Sequence, residues 1–323
     1  MSNKASYRQI DYYLRPSKNV ERKMILEVIK NITKKQNINY SYIGMGSLGF
    51  IDFRMFHKEL MINDMISIEK KATDADRFEF NKPFKIQMEY NEATIALPNL
   101  NLNDKDALVW LDYDGKFNRS MTQDLNHLFS VANPFSIVLM TCRQDLSYYI
   151  DEDKGEIKSF KRFEEEFEEY SFADIKPSFF EKANHTNLIY DMMSNLISET
   201  LRNRNSGLGN SERLYFKQLF FFTYSDNAPM LTFGGILLTA SQLKGFNQKF
   251  KIENLDFVRV KDKPYEIIVP ILTKKETDFL NKHLPDNLET FMLETNLHKI
   301  PAPERKAYYS IYRYMPDFRE TSY

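Results

Sequence analysis

Three carboxylates stand where apolar, strand-like runs of the sequence end. Glu69 follows the run Met65–Ile68. Asp112 follows the run Ala107–Leu111, and Asp114 comes two residues later. A carboxylate at the end of a buried strand can accept hydrogen bonds from sugar hydroxyls or orient a reacting group. Alternate residues of a strand point to one face, so Asp112 and Asp114 are expected to act together. We expect no metal ion, because no histidine or further acid follows at ligand spacing.

A glycine turn precedes the first of these acids. The apolar run Tyr40–Ile43 leads into Gly44-Met45-Gly46-Ser47, and apolar residues then recur at helical spacing over residues 48–60. Glycines let the backbone come close to a ligand, and the first N–H groups of a helix can donate to it. The order strand, turn, helix, strand, acid binds a nucleoside at the edge of a parallel sheet. We therefore predict that these four turn residues contact a nucleoside cofactor and that Glu69 binds its ribose.

The residues around this unit leave two alternatives open. Arg77 follows Glu69 closely and is a candidate for the edge of the cofactor pocket, although a surface position is the simpler interpretation. Gly49 completes a formal Gly-x-Gly-x-x-Gly pattern with Gly44 and Gly46, which is typical of dinucleotide sites. The turn by itself is therefore compatible with a dinucleotide such as NAD as well as with other nucleosides.

Taken together, Gly44 with Gly46, Glu69 and Asp112 resemble the motifs of class I S-adenosylmethionine (SAM) methyltransferases. The phrases RPSKNVERKM, MISIE, RFEFNKPF and VWLDYDG are similar to those of bacterial proteins labelled O-methyltransferases, most strongly over residues 18–145. The resemblance implies an α/β fold with a Rossmann-like sheet, mostly parallel, and an antiparallel C-terminal strand pair. It also implies SAM as the cofactor and places Asp112 near the methyl group. Asp112 and Asp114 are then the candidate catalytic residues.

Periodicity predicts the elements that hold these residues. Apolar positions that repeat every fourth residue indicate a helix over residues 18–35, with Ser17 as its N-cap. Strands are predicted over seven further segments: 85–89, 107–115, 135–141, 214–224, 230–239, 257–260 and 266–270. The two long runs after residue 214 are typical of a hairpin, although a helical start of the first run is also compatible with its pattern.

These elements suggest three parts of the chain. Residues 1–142 and 211–275 form the Rossmann-like domain, 143–210 a helical insertion or lid, and 276–323 a C-terminal helical extension. The extension carries interleaved arginines and tyrosines between Arg305 and Tyr314, a pattern that can stack on nucleic acid bases. The same pattern also packs a terminal helix onto a domain, which is the simpler interpretation.

Composition excludes several classes of protein. The chain of 323 residues carries 44 Lys and Arg against 45 Asp and Glu, so bulk attraction to nucleic acid is not expected. No apolar run is long enough to span a bilayer, so we expect no membrane partner. The first residues lack the apolar core of a signal peptide, which predicts a cytoplasmic protein. The single cysteine, Cys142, lies in an apolar run; we expect it to be buried, and it excludes an internal disulfide.

Three hypotheses about function follow. The first is a SAM-dependent methyltransferase that acts on an oxygen atom, because paired acids can orient an oxygen nucleophile. The second is a methyltransferase-like module that binds a nucleoside or a protein partner without catalysis, since no obvious base faces the acceptor. The third is an NAD-dependent oxidoreductase. The acceptor stays open between a small molecule, a protein and RNA, and an oligomer is compatible with the sequence. The Asn/Asp/Ser-Pro-Pro-Tyr/Phe motif of DNA amino-methyltransferases is absent.

Overall fold

The described part of the chain is built on one sheet of eight strands. The computed structural model describes residues 15–146, 163, 165–167 and 181–316. The strands are β1 (Ser41–Gly44), β2 (Met65–Ile68), β3 (Gln87–Glu89), β4 (Ala107–Lys116), β5 (Ile137–Arg143), β6 (Leu214–Ser225), β7 (Pro229–Thr239) and β8 (Tyr265–Ile267). Their order across the sheet is β3-β2-β1-β4-β5-β7-β6-β8. β1 therefore lies inside the sheet, with β2 and β3 on one side of it and β4 to β8 on the other.

The first five strands are parallel, and β7 runs against its neighbours. β1 pairs in parallel with β2 and β4, β2 with β3, and β4 with β5. β7 is antiparallel to both β5 and β6, whereas β8 is parallel to β6. This arrangement confirms the predicted fold class, a mostly parallel Rossmann-like sheet with an antiparallel strand pair near its end. β8 extends the sheet by one strand beyond that pair.

Helices connect and cover the strands. Those with α-helical hydrogen bonding are α1 (Pro16–Gln36), α2 (Ile51–Leu60), α3 (Ala75–Asn81), α4 (Ala93–Ala96), α5 (Arg119–Val131), α6 (His185–Arg204), α7 (Ala240–Leu243), α8 (Phe246–Phe250), α9 (Lys274–Asn281), α10 (Leu288–Glu294) and α11 (Ala302–Ile311). Among the helices of the described residues, none combines the length and the apolar character that crossing a bilayer requires.

The two faces of the sheet contribute to separate hydrophobic cores. Tyr42 and Trp110 pack on one face with α1 and α2. Ile43 and Val109 pack on the other face with α5 and α6. This alternation follows from the two-residue period of a strand. Because helices cover both faces, the central strands are continuous apolar runs, and polar residues collect where the strands end.

The first helix follows its predicted periodicity, but its N-terminus is capped differently. α1 begins at Pro16 and has no side-chain cap at its own N-cap position. The carboxylate of Asp226, between β6 and β7, accepts hydrogen bonds from the backbone N–H groups of Ser17 and Lys18 at 3.0 and 3.2 Å. The prediction of Ser17 as N-cap is therefore wrong, because a distant acid satisfies these first N–H groups.

Some predicted strands change or disappear. Residues 257–260 form no strand; the N–H of Val258 instead donates to the carbonyl of Leu255 in a turn. β5 begins at Ile137 instead of residue 135, because Phe135 has a left-handed backbone (φ 71°) that does not continue a strand. The run after residue 214 is the strand β6, which settles the helical alternative.

The last part of the predicted insertion belongs to a layer that covers the sheet. α6 packs against α5 and contributes Leu188, Met192 and Leu196 to the core that also holds Val109 of β4. Residues 147–162, 164 and 168–180, which lie in the same segment, are outside the described residues. The lid role of residues 143–210 and the three-part division of the chain therefore stay predictions.

The C-terminal helices enclose a small core of their own. Its buried members are Leu280, Phe291, Ile300 and Tyr308. The guanidinium of Arg305 is buried beside them and donates to the backbone oxygens of Ile300 and Met292 at 3.1 and 2.6 Å. Arg305 therefore holds these helices together, as the packing interpretation of this segment predicts.

Candidate active site

A cavity of about 560 Å³ opens where β1, β2 and β4 end. The predicted site residues that line it are Met45, Ser47, Glu69, Asp112 and Asp114. In the part of the chain that the structure describes, Gly44 and Gly46 form the turn but do not line the cavity. Arg77 is exposed on α3 and is also outside that set, so the structure does not bring it into this site.

The glycine turn holds the backbone against the end of β2. The N–H of Gly46 donates to Ser67 Oγ at 3.0 Å, and the N–H of Ser47 donates to the Glu69 carboxylate at 2.6 Å. A Cβ at residue 46 would lie 2.4 Å from the ring of Phe50 and 2.9 Å from Ser67 Oγ, so a larger residue would displace the turn. Ser47 has a left-handed backbone (φ 52°), which is uncommon outside glycine and marks a constrained loop.

Glu69 comes directly after β2, and its side chain is largely withdrawn from water. Burial raises the pKa of Glu69 to about 7, although hydrogen bonds from Ser47, Ser67 and the N–H of Gly46 work in the opposite direction. The negative charge of Asp114 adds to the increase. A carboxylate in this position can accept hydrogen bonds from both hydroxyls of a ribose that lies over the end of β2.

Asp112 takes part in an ion pair that the sequence did not predict. Its Oδ1 lies 2.7 Å from the ammonium group of Lys18, a fully buried side chain on α1. Burial by itself would raise the pKa of Asp112, but Lys18, helped by Arg22 and Arg15, holds that pKa below its usual value. Asp112 is therefore a fixed carboxylate and a weak base.

Lys18 connects several elements behind the cavity. Its ammonium group lies 2.8 Å from the Glu21 carboxylate, 3.2 Å from the Tyr224 hydroxyl and 4.4 Å from the centre of a Trp110 ring. Burial raises the pKa of Glu21 in spite of the nearby positive charge of Lys18. In the sequence, Lys18 and Glu21 have the spacing of an ordinary surface pair on a helix, which hides their role.

Asp114 lies at the outer end of the cavity. It is exposed and stands on the same strand as Asp112, because β4 continues past both residues. Arg143, from the end of β5, is another exposed residue of the lining, and Asn118 and Ser120 at the start of α5 also line the cavity. A polar group that enters from solvent therefore meets a carboxylate, a guanidinium group and two neutral polar side chains.

The comparison with protein families matches nearly the whole chain. Residues 10–323 fit the model of the family described as "Putative O-methyltransferase". The chain belongs to this family. The predicted class of enzyme, a SAM-dependent methyltransferase, is thereby confirmed.

Solved structures that resemble this methyltransferase share few of its residues. The N-methyltransferase NodS from Bradyrhizobium japonicum WM9 is 6% identical, with a TM-score of 0.39, over 71% of this chain and 94% of NodS. The O-methyltransferase TomG from Streptomyces achromogenes is 11% identical, with a TM-score of 0.35, over 66% of this chain and 78% of TomG. An O-methyltransferase family protein from Burkholderia thailandensis is 10% identical, with a TM-score of 0.33, over 67% and 56% of the two chains. No curated protein matches the chain.

The methyltransferase cavity contains two further acids that the sequence did not single out, the exposed Glu92 and the buried Asp124. Asp124, on α5, lines the cavity and is only 2% exposed. The hydroxyl of Tyr113 donates to its Oδ2, whereas Oδ1 has no hydrogen-bond partner among the described residues. Burial raises the pKa of Asp124 to about 6, although Tyr113 and Thr94 lower it. An aspartate within an amphipathic helix pattern normally indicates the solvent side, so the sequence offered no signal for this residue.

The chemistry of the lining fits a nucleoside with an amino-acid tail. The cavity supplies the turn residues Met45 and Ser47, a carboxylate at Glu69 and an oxygen on Asp124 that has no hydrogen-bond partner among the described residues. No group of three or more His, Cys, Asp or Glu side chains that could hold a metal ion occurs in the described ranges. Cys142 is buried in β5, as predicted, and burial raises the pKa of its thiol to about 12, which disfavours a nucleophilic role.

Proposed function

We propose that this protein transfers a methyl group from SAM to an oxygen atom of its acceptor. The observation that carries the proposal is how the side chains are distributed between two parts of one cavity. Of its lining residues, Met45, Ser47 and Glu69 are partly buried and are called its inner side, whereas Asp114 and Arg143 are exposed and are called its outer end. The family description, which names O-methyltransferases, supports oxygen as the receiving atom.

The inner side of the cavity supplies the groups that SAM requires. Glu69 would accept hydrogen bonds from the ribose hydroxyls, and the turn at Met45 and Ser47 would lie against the amino-acid end. Asp112, held ionised by Lys18, would attract the positive charge of the cofactor. When bound, SAM supplies a methyl group activated by its attachment to a sulfonium centre.

The outer end supplies the groups that an oxygen nucleophile requires. Asp114 is exposed and would accept the hydrogen of an acceptor hydroxyl, which orients the oxygen toward the methyl group. Arg143 would stabilise an acceptor that arrives with negative charge, such as a carboxylate or a phenolate. Asp112 is the weaker candidate for proton transfer, because Lys18 lowers its pKa. We therefore assign orientation of the acceptor chiefly to Asp114.

One observation favours a second function, in which the protein binds SAM without transferring its methyl group. The acid that the sequence placed nearest the methyl group, Asp112, is bound to Lys18 and is a poor base. A module that binds SAM or a related nucleoside without transferring its methyl group is compatible with that ion pair. The oxidoreductase hypothesis has lost its support, because the chain belongs to a methyltransferase family.

The experiment that separates these functions follows the methyl group. The protein is incubated with tritium-labelled SAM and with separate fractions of small molecules, RNA and protein, and the labelled product is characterised by mass spectrometry. We expect one fraction to yield a product with the methyl group on oxygen. Asp114→Asn should lower turnover by about 10²-fold or more while S-adenosylhomocysteine (SAH) still binds. A methyl group on nitrogen, or tight SAM binding with no product in any fraction, would contradict O-methylation. The cytoplasmic location and the oligomeric state stay predictions.

A further inference from the structure

A network of buried polar side chains lies behind the cavity, on the side of the sheet that α1 covers. Its members are Lys18 and Glu21 of α1, Trp110 and Asp112 of β4, Thr141 of β5 and Thr232 of β7. Five of these residues are at most 1% exposed, and Asp112 is the member that lines the cavity. Trp110 Nε1 donates to Thr141 Oγ1 at 3.0 Å. The network therefore meets a ligand in the cavity through Asp112.

The other contacts of the network form an unbroken path from Thr141 to Asp112. The hydroxyls of Thr141 and Thr232 lie 2.7 Å apart, and Thr232 donates to Oε1 of Glu21. The Lys18 ammonium lies 2.8 Å from Oε2 of Glu21 and 2.7 Å from Oδ1 of Asp112. Beyond this ion pair, Oε2 of Glu21 has no hydrogen-bond partner among the described residues. Glu21 and Asp112 therefore share one ammonium group.

The network contains one cationic and two acidic side chains. When Glu21 and Asp112 are both ionised, the single positive charge of Lys18 leaves one negative charge without a partner. Such a charge is unfavourable inside a protein. A proton on Glu21 removes it, and burial raises the pKa of Glu21 above its usual value. A cation placed in the cavity beside Asp112 compensates it as well.

The neighbouring titratable groups leave this balance in place. Arg15 pairs with Asp226 at 3.6 Å, and Arg22 pairs with Asp52, so each pair is neutral as a whole. Tyr224 is the third contact of the ammonium group, at 3.2 Å. Burial raises the pKa of Tyr224 well above its usual value, so its hydroxyl stays neutral. The net charge near the cavity therefore depends on the members of the network and on the ligand.

We propose that Glu21 is a positioning residue that shares Lys18 with Asp112 and so makes the cavity prefer the cationic cofactor SAM to its product SAH. The inference rests on the proposed function, which places the cofactor's sulfur beside Asp112. SAM carries a sulfonium group at this point and SAH a neutral thioether, and the two ligands are otherwise alike in charge. Without the charge of Glu21, Lys18 would neutralise Asp112 by itself. A preference for the cationic form would help SAH to leave after the transfer.

The first test uses the wild-type protein and follows one ratio, the Kd of SAH divided by the Kd of SAM. Calorimetry measures both values from about pH 5 to about pH 8.5. Protonation of Glu69 and Asp124, with pKa values of about 7 and about 6, weakens both ligands alike and cancels from the ratio. We expect the ratio to rise by about 5- to 30-fold as Glu21 loses its proton, the effect of one charge across two ion-pair distances in a protein.

Two variants locate the source of this preference. Glu21→Gln keeps an oxygen that accepts from Thr232 but removes the charge, so the ratio at about pH 8 should fall at least about fivefold and no longer change with pH. Glu27→Gln is the matched control on the same helix, because Glu27 is partly buried and accepts from the hydroxyl of Tyr314, outside the network. The control should keep the wild-type ratio. A general structural defect would weaken SAM and SAH together and leave the ratio unchanged.

Several outcomes would overturn the inference. A wild-type ratio that does not change with pH would do so, as would a wild-type ratio in Glu21→Gln or an equal fall of the ratio in Glu27→Gln. If Glu21→Gln does not fold, the pH profile of the wild-type protein decides by itself. If neither ligand binds the wild-type protein, the proposed cofactor is wrong as well. Binding of both ligands without discrimination would leave the proposed function intact and remove only the role of Glu21.

Discussion

Glu69 is partly buried and has a pKa of about 7, so its affinity for a ribose depends on pH. Ribose hydroxyls donate to the ionised carboxylate, and a proton on Glu69, whose pKa is about 7, competes with them. Affinity must therefore fall as the pH falls. We expect the Kd of SAH to be level above about pH 8 and to rise by up to about tenfold per pH unit below about pH 7. Calorimetry across this pH range measures the profile.

The variant Glu69→Gln checks the origin of that profile. Its affinity for SAH at about pH 8 should be about 10- to 100-fold lower, because hydrogen bonds to a charged group are the stronger ones. The variant should also lose the step in affinity near pH 7, because glutamine does not titrate. If the variant keeps both the affinity and the step near pH 7, Glu69 does not bind the ribose.

We expect Lys18 to contribute far more to the free energy of unfolding than a lysine on a helix surface does. The variant Lys18→Met leaves Asp112 and Glu21 buried without their shared positive charge, so the free energy of unfolding should fall by about 3–5 kcal/mol. Lys30→Met is the matched control on the same helix, because Lys30 pairs with Glu59 where both side chains are partly exposed. The control should lose less than about 1 kcal/mol. Urea denaturation measures both variants, and equal losses would contradict a structural role for the buried ion pair.

The site residues that could be predicted from the sequence are those whose neighbours in the chain indicate their position. Glu69 and Asp112 end apolar runs, and that position is visible from their neighbours in the chain. The partner of Asp112 is not, because Lys18 is 94 residues away, and Lys18 in turn is held by Tyr224 on β6. Asp124 has the pattern of a solvent-facing residue and becomes buried only when Tyr113 and α4 pack against it. Pairings over such distances leave no periodicity to detect.

At the scale of secondary-structure elements, the glycine turn requires a residue without a Cβ atom at position 46. In Gly46→Ala the new Cβ would lie 2.4 Å from the ring of Phe50, which is fully buried. The turn must shift, and the hydrogen bond from Gly46 to Ser67 would weaken. We expect the affinity for SAH to fall by about tenfold or more and the free energy of unfolding to fall by about 1–3 kcal/mol.

Gly207→Ala is the control for that change. A Cβ at Gly207 would meet no atom within 4 Å, and the residue lies far from the glycine turn in the chain. Its affinity for SAH should equal that of the wild-type protein, and its stability should stay level or rise by about 0.4–1 kcal/mol. Calorimetry and urea denaturation test both glycine variants. A tight SAH complex in Gly46→Ala would show that the turn has no part in the site.

The elements with regular periodicity were predictable, and the irregular ones were not. α1, β2 and the hairpin of β6 and β7 follow directly from their apolar patterns. The segment 257–260 has the composition of a strand, but a turn there leaves it without a partner in the described sheet. Pairing with a neighbour decides whether such a short segment becomes a strand, and the sequence of one segment does not contain that information.

Across the whole molecule, Asp226 joins the start of α1 to the far side of the sheet. Its carboxylate accepts from the N–H groups of Ser17 and Lys18, and these residues also hold the helix over the active site. Asp226→Ala should lower the free energy of unfolding by about 1–2 kcal/mol, the usual cost of a lost helix cap. Asp278→Ala, which removes an exposed pair with Lys274, should change it by less than about 0.5 kcal/mol. Similar values from urea denaturation would contradict the cap.

The layered arrangement was predictable to a large extent. Continuous apolar strands indicate a sheet covered on both faces, and the resemblance to methyltransferases implied the antiparallel pair at its end. The attachment of α1 was not predictable, because Asp226 and Lys18 are separated by 208 positions in the chain. The same long-range closure determines the shape of the cavity, since Lys18 stands behind Asp112.

A crystal structure of the protein with SAH tests the central claim most directly. The cavity at the ends of β1, β2 and β4 should hold the ligand, with the ribose hydroxyls within hydrogen-bond distance of Glu69 and the sulfur on the side of Asp112. Asp114 and Arg143 should face the open space beside that sulfur. SAH elsewhere, for example in the second cavity of about 820 Å³ between Asp226 and Ile271, would contradict the proposed site and the transfer that depends on it.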